Sequence, residues 1–329
     1  MRDVGARYTP SSLERAWENR TSSNCRLIQQ QARDHAVDRW LHIAWDAMFN
    51  NTSASLDASL SRMRTSDGCT EPIEPLTGSL RHPRALQCDN HPFKRGTGKS
   101  IMDITYLILA DGCDAAACSG SRRRGRRLFY DLGCAWSGPN PGTWDKYLKQ
   151  FGRRRRDNES HEDYAQNVFR ERLRVSTTIA PTTFSIPLFR SLYERHCLDF
   201  DHVYAWEAEQ FRAGAWMARV PAADRSKTSF FNEPVNATNA LDVLRHSARA
   251  DDFVVVKLDI DYPDLEDLLI KRILHEEPLH GLIDELFFEY HGYVDDDKAA
   301  PEQRNQTVAH GIRMMGALRR LGVRAHFWV

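Results

Sequence analysis

The C-terminal two-thirds of the sequence predicts an α/β fold, built on a parallel β-sheet with helices on both faces. Short apolar segments alternate there with amphipathic helical segments, as expected for repeated βαβ units. Most of the apolar segments end in acidic residues, and a glycine-containing turn follows the first of them. Neither an all-α nor an all-β fold produces this alternation. The strands are predicted at 128–133, 202–208, 253–261, 282–292 and 323–329.

Amphipathic segments between these strands predict four helices, at 185–197, 239–249, 263–276 and 302–321. Pro263 suits the first turn of its helix, because a backbone N–H has no helical partner at that position. The polar and basic segment at about 139–183 is too long for an ordinary βα loop. It is therefore predicted to be an insertion over the C-terminal end of the first strand.

Residues 1–120 are predicted to form a helical, loop-rich extension that precedes the α/β domain at 121–329. Apolar residues recur at helical spacing between 11 and 49, and a buried helix is predicted at 100–111. Five cysteines predict disulfides in this extension: Cys25, Cys69, Cys88, Cys113 and Cys118. Seven cysteines in all leave at least one unpaired within the chain, and Cys134 is predicted to be buried and reduced.

Composition and short motifs predict the compartment and exclude some partners. Lysine and arginine number 45, as do aspartate and glutamate, so no strong net charge favours nucleic acid. No segment reaches the roughly 18 apolar residues of a membrane span, and the N-terminus does not resemble a signal peptide. Glycosylation sequons nevertheless predict the lumen of the ER or Golgi, or an extracellular location, with the targeting segment missing from this sequence. The sequons begin at Asn19, Asn50, Asn51, Asn158, Asn236 and Asn305.

Polar side chains at the predicted strand ends define a candidate site. In open parallel sheets, ligands bind in the crevice outside the carboxyl ends of the strands. The candidates, in chain order, are Asp131, Gly133, Trp136, Ser137, Glu207, Lys257, Asp259, Asp261, Glu289 and His291.

Three of these motifs resemble, in order and spacing, the class I S-adenosylmethionine-dependent methyltransferases, and among them the FkbM-like family. They are the Asp131-Leu-Gly133 turn, Glu207 at the end of the second strand, and the segment from Lys257 to Asp261. The resemblance covers about 128–329 and implies a Rossmann-like, three-layer αβα domain. It also implies that S-adenosylmethionine contacts the glycine turn and that Glu207 accepts hydrogen bonds from the ribose hydroxyls. The predicted cofactor-binding residues are Asp131, Gly133, Trp136, Ser137, Glu207 and Glu289.

The resemblance further implies in-line methyl transfer, with the hydroxyl of a sugar or glycan as the acceptor. A hydroxyl nucleophile benefits from a nearby base that takes its proton. Asp259 is the first choice for this base and His291 the second. Asp261 and Lys257 complete the set of candidate catalytic residues.

Two other classes of function remain open. Asp259 and Asp261 form a DxD pattern, which in a glycosyltransferase would hold Mn or Mg against a nucleotide sugar, with His291 as a third ligand. Alternatively, the domain is a non-catalytic lumenal protein, which is favoured by Ala135 where the resembled family has a second glycine. An adenosine site requires Glu207 to lie beside the Asp131 turn, so the position of Glu207 separates the methyltransferase from the glycosyltransferase.

Overall fold

The structure is a computed structural model, and it describes residues 8–11, 14–15, 60–64, 70–76, 107–110, 125–134, 185–194, 196–211, 214, 216–218, 220, 222–290 and 308–328. Two sheets lie within these residues. The smaller is antiparallel, with the strands in sequence order, and the larger has six parallel strands. The small sheet contains β1 (Tyr8–Thr9), β2 (Ser61–Arg64) and β3 (Thr70–Ile73).

The parallel sheet has the strand order β6-β5-β4-β7-β8-β9, which is that of doubly wound Rossmann-like folds. Its order reverses between β4 and β7, so a crevice is expected outside the C-terminal ends of these two strands. The parallel α/β sheet predicted from the sequence is therefore confirmed. The strands are β4 (Arg127–Leu132), β5 (His202–Trp206), β6 (Thr228–Phe231), β7 (Phe253–Leu258), β8 (Glu285–Glu289) and β9 (Arg324–Trp328).

Both faces of this sheet are covered. Consecutive residues of a strand point to opposite faces, and the consecutive residues Val254, Val255 and Val256 of β7 are all buried. Apolar side chains from the helices, such as Phe189 and Ile270, join these strands in one core cluster. The helices are α1 (Ser185–Glu194), α2 (Ala222–Arg225), α3 (Asn239–Ser247), α4 (Pro263–His275), α5 (Glu277–His280) and α6 (Val308–Leu321).

The structure differs from the predicted elements in four places. β6 was not predicted, because this four-residue edge strand pairs only with β5 and is half-buried throughout. The short helices α2 and α5 were not predicted either. The helix predicted at 100–111 is wrong where the structure describes it, at 107–110. The backbone N–H of Ile108 donates to Glu74, and that of Ala110 to Glu285, so carboxylates replace helical carbonyls as acceptors.

Other predictions lie largely or entirely outside the described residues. Among them are the insertion at 139–183 and most of the helical segment at 11–49, of which only residues 14–15 are described as helical. The first residues of the helix predicted at 302–321 also lie outside, and its described part begins at Val308.

A cluster of buried charges joins the N-terminal segments to the parallel sheet. We name Glu74, Glu285, Arg319 and His326 the buried polar cluster; each of these side chains is almost fully buried. His326 places Nδ1 2.7 Å from Glu74 Oε1 and Nε2 2.8 Å from Glu285 Oε1. Arg319 donates from Nη2 to Glu74 Oε1 over 2.9 Å, and Tyr193 donates to Glu285 Oε2 over 2.7 Å. Each carboxylate of the cluster is thus hydrogen-bonded, as buried charge requires.

The buried polar cluster predicts a pH dependence of stability. Burial opposes the charge on His326, but Glu74 and Glu285 outweigh it and raise its pKa above 6.5. Burial likewise opposes the charge on Glu74, but His326 and Arg319 outweigh it and lower its pKa below 4.5. The stability that His326 contributes is therefore lost as pH rises through its folded pKa. That of Glu74 is lost as pH falls through its folded pKa.

Their joint contribution is accordingly largest between about pH 4.5 and 6.5. We expect the free energy of unfolding, measured with urea from pH 5 to 9, to fall more steeply with pH in the unaltered chain than in His326→Gln. The difference between the two curves isolates the histidine from other titrating groups. Parallel curves would rule out a charged His326 in the folded chain.

Candidate functional site

The first strand of the parallel sheet ends in a turn that only glycine fits. Gly133 follows β4 with φ +86°, and a Cβ built on it would lie 1.6 Å from the carbonyl oxygen of Asp259. The N–H groups of Gly133 and Cys134 donate to the carbonyl oxygen of Trp206, over 3.3 Å and 2.9 Å. The turn after β4 is thus fixed against the ends of both neighbouring strands, β5 and β7.

Lys257 ties the glycine turn to two carboxylates. Its Nζ donates to the carbonyl oxygen of Gly133 and to Oδ2 of Asp259, both over 2.9 Å, and lies 3.4 Å from Oδ1 of Asp131. Oδ2 of Asp131 also accepts a short hydrogen bond from Ser185 at the start of α1. Burial opposes the charge on Lys257, but Asp259 and Asp131 outweigh it and raise its pKa. The lysine therefore holds its proton and acts as a buried cation in this arrangement.

Asp259 forms a hydrogen-bonded carboxyl pair with Glu289, which ends β8. Burial raises the pKa of Asp259 to about 7; Glu289 adds to the shift, and Lys257 opposes it. The Asp259 side chain keeps 25% of its surface exposed. The site therefore holds a carboxyl group that is accessible and changes charge near neutral pH.

Glu207 lies directly beyond Trp206, whose carbonyl oxygen accepts the hydrogen bonds of the glycine turn. Its Oε1 accepts a hydrogen bond of 2.8 Å from the N–H of Glu209. Its Oε2 is buried, with no hydrogen-bond partner among the described residues. Burial raises the pKa of Glu207, and the charges of Glu209 and Asp131 add to this effect, against the hydrogen bond from Glu209. Glu207 therefore lies beside the turn that follows Asp131.

The structure thus brings six of the predicted site residues to one edge of the sheet: Asp131, Gly133, Glu207, Lys257, Asp259 and Glu289. Asp261 lies just beyond them, exposed, with φ 54° in the left-handed region. Trp136, Ser137 and His291 lie outside the described residues. Cys134 is buried and unpaired, as predicted. Cys197 is disulfide-bonded.

Sequence reasoning missed two polar residues at this edge. Ser185 was placed only in a helix, although it bonds Asp131. Asn232, directly after β6, donates to the carbonyl oxygens of Glu207 and Glu209. The only available signal for Asn232 was a polar residue after Thr228–Phe231, and that strand was itself not predicted.

Within the part of the chain that the structure describes, no group of three or more His, Cys, Asp and Glu side chains is arranged to hold a metal ion. His291, the third ligand in the DxD interpretation, is not among those residues.

No described helix combines the length and the apolar character needed to cross a membrane.

Comparison with known proteins found no matching family model, no matching curated protein and no matching solved structure.

Proposed function

We propose that this chain is an S-adenosylmethionine-dependent methyltransferase that binds its cofactor at the C-terminal ends of β4, β5 and β7. The observation that carries the proposal is the buried Oε2 of Glu207, which has no hydrogen-bond partner among the described residues and lies beside the glycine turn. A buried carboxylate oxygen without a partner is unfavourable, and ribose hydroxyls would satisfy it. An acidic residue in this position of a doubly wound sheet typically binds ribose.

The glycine turn and the local charge also fit this cofactor. Because Gly133 has no Cβ, the carbonyl group of Asp259 can pack against this turn, which brings the ends of β4 and β7 together at the edge where the cofactor would bind. Four carboxyl groups lie at this edge, those of Asp131, Glu207, Asp259 and Glu289, and the buried cation Lys257 contacts two of them, Asp131 and Asp259. With one proton on the Asp259–Glu289 pair, the site remains negative, which favours a cationic ligand. S-adenosylmethionine, when bound, supplies an electrophilic methyl group on a positively charged sulfur.

For the acceptor, we propose a hydroxyl of a sugar or glycan in the secretory pathway. Asp259 is the base that takes the hydroxyl proton, because its pKa of about 7 suits proton transfer at neutral pH. Glu289 positions Asp259 through the shared hydrogen bond, and Lys257 holds the glycine turn. His291 and Asp261 stay predictions for the same step. The proposed compartment rests on the glycosylation sequons. The proposed acceptor, a sugar or glycan hydroxyl, rests on the resemblance to the methyltransferase family.

The first test is binding of S-adenosylhomocysteine, the product form of the cofactor. We expect it to raise the melting temperature of the unaltered chain, since a ligand that binds only the folded state stabilises it. Glu207→Ala should weaken binding about tenfold or more, because that is the change in affinity expected when a hydrogen bond to a charged group is lost. Glu209→Ala is the matched control: it removes an exposed carboxylate of the same loop and keeps the backbone N–H that bonds Glu207.

Equal losses in the two variants would contradict a direct role of Glu207. A nucleotide sugar that stabilises the chain only when Mn is present, and no longer does so in Asp261→Ala, would favour the glycosyltransferase instead. A chain that responds to neither ligand would favour the non-catalytic protein.

The proposed base predicts a pH dependence of methyl transfer. A protonated Asp259 cannot accept the hydroxyl proton, so kcat/KM should rise with pH through about 7. Glu289→Gln removes a negative neighbour that raises the pKa of Asp259, so the midpoint of the profile should move to lower pH. The measurement is kcat/KM from pH 5.5 to 9 for both chains. A midpoint that stays in place in Glu289→Gln would exclude Asp259 as the titrating base.

A further inference from the structure

The loop at 207–211, which follows β5, is held by the side chain of Asn232 at the end of the neighbouring strand β6. Nδ2 of Asn232 donates to the carbonyl oxygens of Glu207 and Glu209, over 3.0 Å and 2.7 Å. Its Oδ1 accepts a hydrogen bond of 2.9 Å from the N–H of Phe211. A single half-buried amide thus satisfies backbone groups at the start, middle and end of this loop.

These contacts fix the backbone that binds the Glu207 side chain. The carbonyl group of Glu209 is bound by Asn232, and the N–H of the same residue donates to Oε1 of Glu207. The N–H of Glu207 continues the strand pairing by donating to the carbonyl oxygen of Phe231, over 3.1 Å. The glutamate is therefore held at its backbone and at one carboxylate oxygen, and the other oxygen, Oε2, has no hydrogen-bond partner among the described residues.

We propose that Asn232 is a positioning residue for ribose recognition: it fixes the loop at 207–211 so that Glu207 presents Oε2 to the hydroxyls of the cofactor. This inference rests on the proposed methyltransferase function and adds a residue to it. A glutamate side chain has three rotatable bonds, and ordering it on binding would weaken affinity. A loop that is already ordered avoids that loss.

The binding test compares Asn232→Ala and Asn232→Asp with Gln210→Ala as the control. Gln210 bonds the carbonyl oxygens of Ala208 and Asn232 within the same loop, but neither Glu207 nor Glu209. We expect either Asn232 variant to raise the Kd for S-adenosylhomocysteine, measured by calorimetry, about tenfold. This corresponds to a loss of about 1.4 kcal/mol of binding free energy. The control should change it less than about twofold. In a Glu207→Ala background, Asn232→Ala should cause no further loss, because the two residues act through one contact.

A second readout needs no ligand. In the free chain, the N–H of Glu209 should exchange with solvent faster in both Asn232 variants, and at the original rate in Gln210→Ala. Asn232→Asp has nearly the shape of the original side chain and keeps the acceptor for Phe211, so this arm stands even if Asn232→Ala fails to fold.

The outcomes separate the inference from the proposed function. Unchanged exchange at Glu209 in a folded Asn232 variant overturns the inference alone. The inference alone is also overturned if the unaltered chain binds S-adenosylhomocysteine and Asn232→Ala weakens binding as much in the Glu207→Ala background as in the unaltered chain. No binding by the unaltered chain overturns the proposed function and the inference together.

Discussion

Gly133→Ala is expected to destabilise the folded chain by about 4 kcal/mol or more, in the range that indicates a specific structural conflict. The added Cβ would lie 1.6 Å from the carbonyl oxygen of Asp259, which is backbone and cannot swing aside. The overlap can be relieved only if the ends of β4 and β7 move apart, at the point where the strand order of the sheet reverses. A φ of +86° adds strain for alanine. Because the same turn borders Glu207, binding of S-adenosylhomocysteine should be lost as well.

Gly214→Ala is the control for this substitution. Gly214 also has a positive φ, +76°, but no described atom lies within 4 Å of the position its Cβ would take. It therefore carries the backbone strain without the overlap, and we expect a loss of about 1 to 2 kcal/mol. Urea unfolding of the two variants measures both. Equal losses would mean that the approach of Gly133 to Asp259 has no energetic consequence.

Arg319→Met is expected to destabilise the chain by about 3 to 5 kcal/mol, because it removes one partner of a buried ion pair and keeps the other. Arg319 is fully buried and donates to Glu74 Oε1, to the carbonyl oxygens of Glu74 and Ala325, and to the hydroxyl of Tyr8. Methionine has similar length but no donors. The carboxylate of Glu74 would then depend on His326 and the N–H of Ile108.

Arg320→Met provides the comparison, because Arg320 is exposed on the same helix, and its loss should stay within about 0.5 kcal/mol. Adding Glu74→Gln to Arg319→Met should recover part of the lost stability, since it removes a buried negative charge that has lost its arginine partner. If Arg319→Met and Arg320→Met unfold at the same urea concentration, Arg319 contributes nothing to stability through the buried polar cluster.

The central strands could be predicted from the sequence because they are buried on both faces and therefore apolar throughout. Val254, Val255 and Val256 are an example, and α4 was recognisable from its apolar periodicity and Pro263. β6 lacks this signal, because an edge strand with half-buried residues resembles a loop in composition. Residues 107–110 resembled a helix because they are apolar, but the N–H groups of Ile108 and Ala110 donate to carboxylates far away in the sequence.

The sequence predicted which residues lie at the candidate site, but not which atoms of these residues contact one another. Parallel strands end at one edge, so Asp131, Glu207 and Asp259 had to come near one another. The sequence could not show that Lys257 bonds the carbonyl oxygen of Gly133, since this depends on how β4 and β7 are aligned. Asn232 escaped prediction because β6 was not predicted and because its partners are backbone groups, which every residue carries.

The buried polar cluster has a consequence for the order of events during synthesis. Glu74 meets Arg319 across 245 positions of sequence, and Glu285 is bonded by His326 of β9. A ribosome-bound chain that ends after β8 holds both carboxylates without these cations. Closing so long a loop is slow, because entropy is lost before the contacts form. We therefore expect the emerging polypeptide to stay open to chaperones and proteases until α6 and β9 have left the ribosome, after which residues from both ends of this span reach their final positions together.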